Sequence, residues 1–131
     1  MGKTRQKIGR WGEKTAAKYL EKHGYIIVAT NENLKGGELD LVCKKNDKII
    51  FVEVRTKTGY LFGTGEESIT PKKALKLATL SHEYLEEKEY LYDDFQVDLV
   101  VVEAIKRSGE VRIRHLKNVV DEIDEDLLDD V

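Results

Sequence analysis

The alternation of apolar and polar positions divides the chain into seven elements. Residues 8–23, "IGRWGEKTAAKYLEKH", put Gly9, Glu13, Ala16, Ala17 and Leu20 on one side of a helix, at about 100° per residue. Lys14, Lys18, Glu21 and Lys22 fall on the other side, and Gly24 follows as a C-cap. Residues 25–30, "YIIVAT", read as a strand and 31–37, "NENLKGG", as a loop. Strands are expected over 38–43 and 48–56, joined by "KKND", and a glycine-rich loop over 57–69. Thr70 as N-cap and Pro71 at the first helical position open a second helix running to about residue 89. Its packed face is Ala74, Leu77, Ala78, Ser81 and Leu85. Strands over 95–104 and 111–117, with a turn at Ser108-Gly109, complete an αβββαββ order without internal repeats.

One strand breaks the pattern. In "KIIFVEVRTK" an apolar run is interrupted at alternate positions by Glu53 and Arg55, which therefore share a face. A hairpin turn centred on Asn46-Asp47 sets the register with the preceding strand. Position 43 then faces 50, 42 faces 51, 41 faces 52, Asp40 faces Glu53 and Glu38 faces Arg55. Opposed carboxylates repel, and a divalent cation with oxygen ligands resolves that repulsion. A salt-bridge lattice of Glu38, Asp40, Glu53 and Arg55 at a sheet end is the competing reading. Glu13, in the middle of the small apolar helix face, needs a partner as well, because burying a lone carboxylate is costly. Either a structural ion pair or a third acid at the same site meets that need.

Charge changes the picture at the two ends. The formal net charge of the chain is −3, but the last eleven residues hold seven acids and no Lys or Arg. Without them, residues 1–120 carry 22 basic and 18 acidic residues, or +4. Residues 1–120 are therefore expected to form one mildly basic domain and 121–131 an acidic tail. Cys43, the single cysteine, sits in an apolar segment and reads as a small buried side chain. A lone cysteine, the lack of an apolar stretch behind the basic start and the lack of a membrane-length apolar run point to a cytoplasmic protein. His23, His82 and His115 show no ligand spacing.

The ordered motifs "GxxGExxAxxYLxxxGYxI", "GGELDLV", "FVEVRTKTGYLFG", "ITPKKxxKL" and "DLVVVE", over residues 8–118, resemble the YraN-like family of bacterial proteins. That family is similar to PD-(D/E)xK nucleases and to archaeal Holliday-junction resolvases. The resemblance implies an α/β, restriction-endonuclease-like αβββαβ core, with a mixed central sheet flanked by helices. It also implies site residues: Glu13 as the helix acid, Asp40 and Glu53 as the paired acids, and Arg55 at the position of the usual lysine. Asp40, Glu53 and Glu13 would hold Mg²⁺ or Mn²⁺, which lowers the pKa of water and polarises a phosphodiester. Arginine stays protonated and is no general base, yet it can offset developing charge. Lys57, two residues on, is a second source of the lysine. Asp98 matches a family position without a settled role.

The leading reading is a metal-dependent endonuclease acting on structured or branched DNA. The alternative is a non-catalytic nucleic-acid-binding module on a nuclease-like scaffold, and a third is an interaction protein whose acidic tail meets a basic partner. Arg5, Lys7, Arg10, Lys57, Lys72 and Lys76 are the candidate phosphate contacts. Tyr60 and Phe62 either stack on a splayed base or pack down on the domain. Junction resolvases act as dimers, and the resemblance extends that expectation to a homodimer here.

Overall fold

The computed structural model describes residues 2–90 and 95–120. The acidic segment 121–131 lies outside the described residues. The elements are α1 (Gly2–Lys22), β1 (Ile26–Leu34), β2 (Gly37–Lys45), β3 (Lys48–Gly59), α2 (Pro71–Glu87), β4 (Phe95–Ile105) and β5 (Val111–Leu116). One sheet runs in the order β1-β2-β3-β4-β5. β3 and β4 pair in parallel and every other neighbour is antiparallel. α2 makes the crossover that a parallel pair requires. The expected mixed sheet with two helices is therefore observed.

The helices cover opposite faces. Ala16 and Leu20 of α1 pack with Leu41, Cys43, Ile50, Val52, Val100 and Val102. Leu77, Leu80, Tyr84 and Leu85 of α2 pack with Val42, Phe51, Val97, Leu99 and Val101. β3 and β4 thus contribute alternate residues to both cores, as strands covered on both faces must. Thr70 caps α2 as expected, its hydroxyl accepting the Lys73 N–H at 3.2 Å. The buried face of α2 also takes in Leu80 and Tyr84, while Ala78 is only partly covered.

Three expected boundaries shift by three residues or more. α1 begins at Gly2, six residues before the apolar repeat starts; residues 4–7, ahead of that repeat, are exposed and need no apolar face. β1 runs on through "NENL", which read as a loop; Asn31 sits there at φ 48 within the strand. β3 extends to Gly59, so Lys57 lies on the strand and on the face of Arg55.

The β2–β3 turn is Asn46-Asp47, with φ of 53 and 63, the left-handed pair of a two-residue hairpin. The expected register follows, from Lys45↔Lys48 to Leu41↔Val52. Pairing stops there. β2 continues alongside β1, with Leu39 opposite Glu32 and Glu38 opposite Asn33. β3 continues alongside β4 as far as Gly59↔Ile105. The sheet forks between β2 and β3, and Asp40 is the first residue of β2 beyond the last pair.

Candidate functional site

Strand alternation breaks at the fork. Leu39 and Val42 both pack on the α2 side, while Leu41 packs on the α1 side. Asp40 turns toward β3, where its Oδ2 accepts the Val54 N–H at 2.8 Å. The expected direct opposition of Asp40 and Glu53 across a ladder is therefore replaced by a meeting at the fork. Val54 follows Glu53 on β3, so that hydrogen bond brings the Asp40 carboxylate to the same stretch of the strand. Burial, then the charge of Glu53, then those of Glu13 and Glu38 push the Asp40 carboxyl up to about 7, outweighing the Val54 hydrogen bond.

Glu13 reaches the same field from α1. Its pKa is raised by burial and by Glu38 and Glu53, against a hydrogen bond with the Asn31 side chain. The helix lies close to β3 because Gly12 carries no side chain: a Cβ there would overlap the Thr56 hydroxyl. A groove between α1 and β3 exposes Arg5, Gly9, Glu13, Thr56 and Thr58 along its walls. Arg10, Asn31 and Glu38 border its continuation past Glu13.

Glu53 has a cation of its own. Lys73 Nζ, in the first turn of α2, stands 3.4 Å from Glu53 Oε1, whose side chain is 18% exposed. Arg55 is engaged elsewhere: Nη1 donates to Glu67 Oε2 at 2.6 Å and to the Ser68 carbonyl at 3.3 Å. The expected facing of Glu38 and Arg55 is accordingly not formed, because the strands have already separated. Lys57 Nζ also bonds Glu67. Among the described residues, no three His, Cys, Asp or Glu side chains are gathered at metal-ligand spacing.

Residues 12–102 match the pattern of the uncharacterised protein family UPF0102. The chain belongs to that family. A UPF0102 protein of Syntrophomonas wolfei is 40% identical over 113 residues, spanning 86% of this chain and 96% of its own length. One from Pelotomaculum thermopropionicum is 41% identical over 119 residues, 90% of this chain and 98% of that protein. Among solved structures, Pyrococcus furiosus SfsA in complex with Ca²⁺ aligns over 86% of this chain and 63% of its own, at 16% identity and a TM-score of 0.42. The UPF0102 segment holds Glu13, Asp40, Glu53, Arg55 and Asp98, and ends before β5.

Several residues at or near the candidate site carry no signal in the sequence. Asn31 was hidden in a run that looks like a loop, yet it partners Glu13. Lys73 stood beside the exposed stripe of Lys72 and Lys76, and only the placement of α2 aims it at Glu53. Glu67 shows no signal in its own segment, because its cations come from β3 and β5. Asp98, fully buried, accepts from Gln96 Nε2 at 2.7 Å and from the Asn118 N–H at 3.1 Å, and pairs with His115 Nε2 at 2.7 Å. Tyr19 of α1 completes that chain at His115 Nδ1, 3.2 Å away, so Asp98 fastens β4, β5 and α1 together. Arg5, Lys7, Arg10, Lys72 and Lys76 are exposed. Phe62 packs beneath the Arg112 guanidinium at 4.7 Å, while Tyr60 is 71% exposed. No helix among the described residues is long and apolar enough to cross a membrane.

Proposed function

We propose that the protein is a metal-dependent endonuclease that hydrolyses phosphodiester bonds in structured or branched DNA. The observation that carries this reading is the hydrogen bond from the Val54 N–H to Asp40 Oδ2 at 2.8 Å, which holds Asp40 against the residue that follows Glu53 where β2 and β3 part.

The donor set fits Mg²⁺ or Mn²⁺: it is made of carboxylate oxygens, the ligands hard divalent cations take. Asp40 and Glu53 are the two ligands, with Glu13 facing the same field from α1. A cation held there supplies Lewis acidity toward a phosphodiester. The protein's own groups do the rest. The Val54 N–H orients Asp40, and Asn31 holds Glu13. Lys73 places a positive charge beside Glu53, able to attract a phosphate and to offset charge on it. Arg55 joins that role once released from Glu67. The exposed Arg5, Lys7, Arg10, Lys72 and Lys76 lie on both helices and serve as backbone contacts that position the substrate. A homodimer belongs to the same reading, since a four-way junction presents two equivalent strands to a two-fold pair.

A non-catalytic binding module is the second reading. The engagement of Arg55 by Glu67 favours it, since the residue at the lysine position is then turned to a loop. A panel of labelled duplex, single-stranded, flap and four-way-junction DNAs, with Mg²⁺ and with Mn²⁺, separates the two. Cleavage that disappears in Asp40→Asn and Glu53→Gln, with junction binding retained, supports the nuclease. Binding without cleavage of any substrate gives the second reading. Cleavage undiminished in both variants removes this site from the chemistry.

A further inference from the structure

The loop between β3 and α2 lies on a surface that its own residues neutralise. On the α2 face of the sheet, past the reach of that helix, Arg55 of β3 and Arg114 of β5 flank Val101 in one row. Lys57 and Arg112 flank Glu103 in the next. Four cations thus surround one strand carboxylate, which Arg112 and Arg114 grip at 2.9 and 2.6 Å. Glu67 descends into this surface from the loop with its side chain only 4% exposed. It meets Arg55 at 2.6 Å, Arg114 at 3.4 Å and Lys57.

The loop backbone is held by the same cations. The Gly63 carbonyl accepts from Arg112 at 2.9 Å, the Gly65 carbonyl from Arg114 at 2.5 Å and the Ser68 carbonyl from Arg55. Guanidinium forks suit phosphate oxygens as well as they suit carboxylates. Arg112 also keeps a buried Nε without a hydrogen-bond partner, a donor the loop does not use. The surface adjoins the fork, because Arg55 stands two positions from Glu53 on one strand face.

We propose that Arg55, Lys57 and Arg114 form a phosphate-binding cradle whose place is held by the Glu67 carboxylate, and that a nucleic-acid backbone phosphate displaces Glu67 together with its loop. The cradle itself stands on these contacts; only the identity of the polyanion rests on the function proposed above. A purely structural Glu67 would lie in the same place, but its removal would then weaken the surface and leave phosphate affinity unimproved.

The test reads binding, without cleavage. Labelled four-way-junction and duplex DNA are titrated in EDTA against wild type, Glu67→Gln and Glu67→Gln/Arg114→Gln, over a range of salt. Glu67→Gln is expected to tighten binding about 10-fold at low salt, with a steeper salt dependence as further phosphates are neutralised. Arg114→Gln in the same chain should remove most of the gain. Unchanged or weaker binding by a folded Glu67→Gln, or a gain that survives Arg114→Gln, overturns the cradle. Should no DNA bind, inorganic pyrophosphate followed by NMR at the arginine side chains decides: shifts at Arg55 and Arg114 of Glu67→Gln keep the cradle and reject nucleic acid, and no shifts reject the cradle. Should Glu67→Gln not fold, amide exchange of the wild type decides. Faster exchange at Gly63 on DNA or pyrophosphate saturation supports displacement of the loop, and unaltered protection overturns it.

Discussion

Asp40 is costly to ionise in the fold. Its carboxyl is raised from 3.8 to about 7, first by burial and then by Glu53, Glu13 and Glu38. The native state therefore holds the proton more tightly than the unfolded chain does. Between about pH 4 and 7 stability falls as pH rises, by an amount on the order of 2–4 kcal/mol once the group is fully charged. Asparagine keeps an acceptor for the Val54 N–H and carries no charge. Asp40→Asn should melt roughly 5–10 °C above wild type at pH 8 in EDTA, and the two should converge near pH 4. A wild type that melts higher than Asp40→Asn at pH 8 would mean that Asp40 is stabilised as an anion. Mn²⁺ or Mg²⁺ at ten times its dissociation constant should restore about 1.4 kcal/mol to the wild type at pH 8, visible as a raised Tm. Asp40→Asn should lose most of that response. Glu103 behaves in the opposite sense. Burial raises it, but the Gly63 N–H, Arg112 and Arg114 outweigh burial and hold it down to about 2. Its contribution is present above the ordinary 4.5 and drains away as pH falls toward 2. Acid unfolding should therefore begin earlier in Arg112→Gln, readable by circular dichroism between pH 4 and 2.

The elements explain why some of this could be read from the sequence and some could not. The hairpin register was legible because Asn46-Asp47 is a strong local turn and side-chain alternation transmits its phase along both strands. The fork was not, because it depends on β2 staying with β1 while β3 stays with β4. The sequence pattern ends β1 too early: Asn31 favours the left-handed conformation that usually marks a turn, and here that conformation occurs inside a strand. Glu13 was legible as a charge on an apolar helix face. What brings it to β3 is Gly12, which lets the helix approach Thr56. Gly12→Ala should thus destabilise the protein by about 1–3 kcal/mol despite the better helix propensity of alanine. Thr56→Ala in the same chain should recover part of the loss, because it removes the hydroxyl that the new methyl meets. Losses that simply add in the double variant would show that the two residues are not in contact.

At the scale of the whole molecule, charge is divided between a basic body and an acidic end. Residues 1–120 carry +4, and residues 121–131 hold seven acids. Arg5, Lys7 and Arg10 of α1, Lys72, Lys73 and Lys76 of α2, and Arg55, Arg112 and Arg114 of the β3–β5 face place cations on the elements that also carry Glu13 and Glu53 or adjoin them. On the reading proposed above, a polyanion attracted to that body would meet two competitors carried by the chain itself. One is Glu67, fixed in place by its neighbours; the other is the segment 121–131, whose action needs only charge and reach. The two are separable by salt. A carboxylate fixed in a partly buried pocket is weakly screened, whereas an attraction that acts at a distance fades beyond a Debye length of about 10 Å at 0.1 M salt. Deleting residues 121–131 should tighten DNA binding at low salt and steepen its salt dependence, with the advantage gone by several hundred millimolar. The Glu67→Gln gain should persist further up the same series. Equal affinity at low salt with and without residues 121–131 would show that the acidic end does not compete for the basic surface.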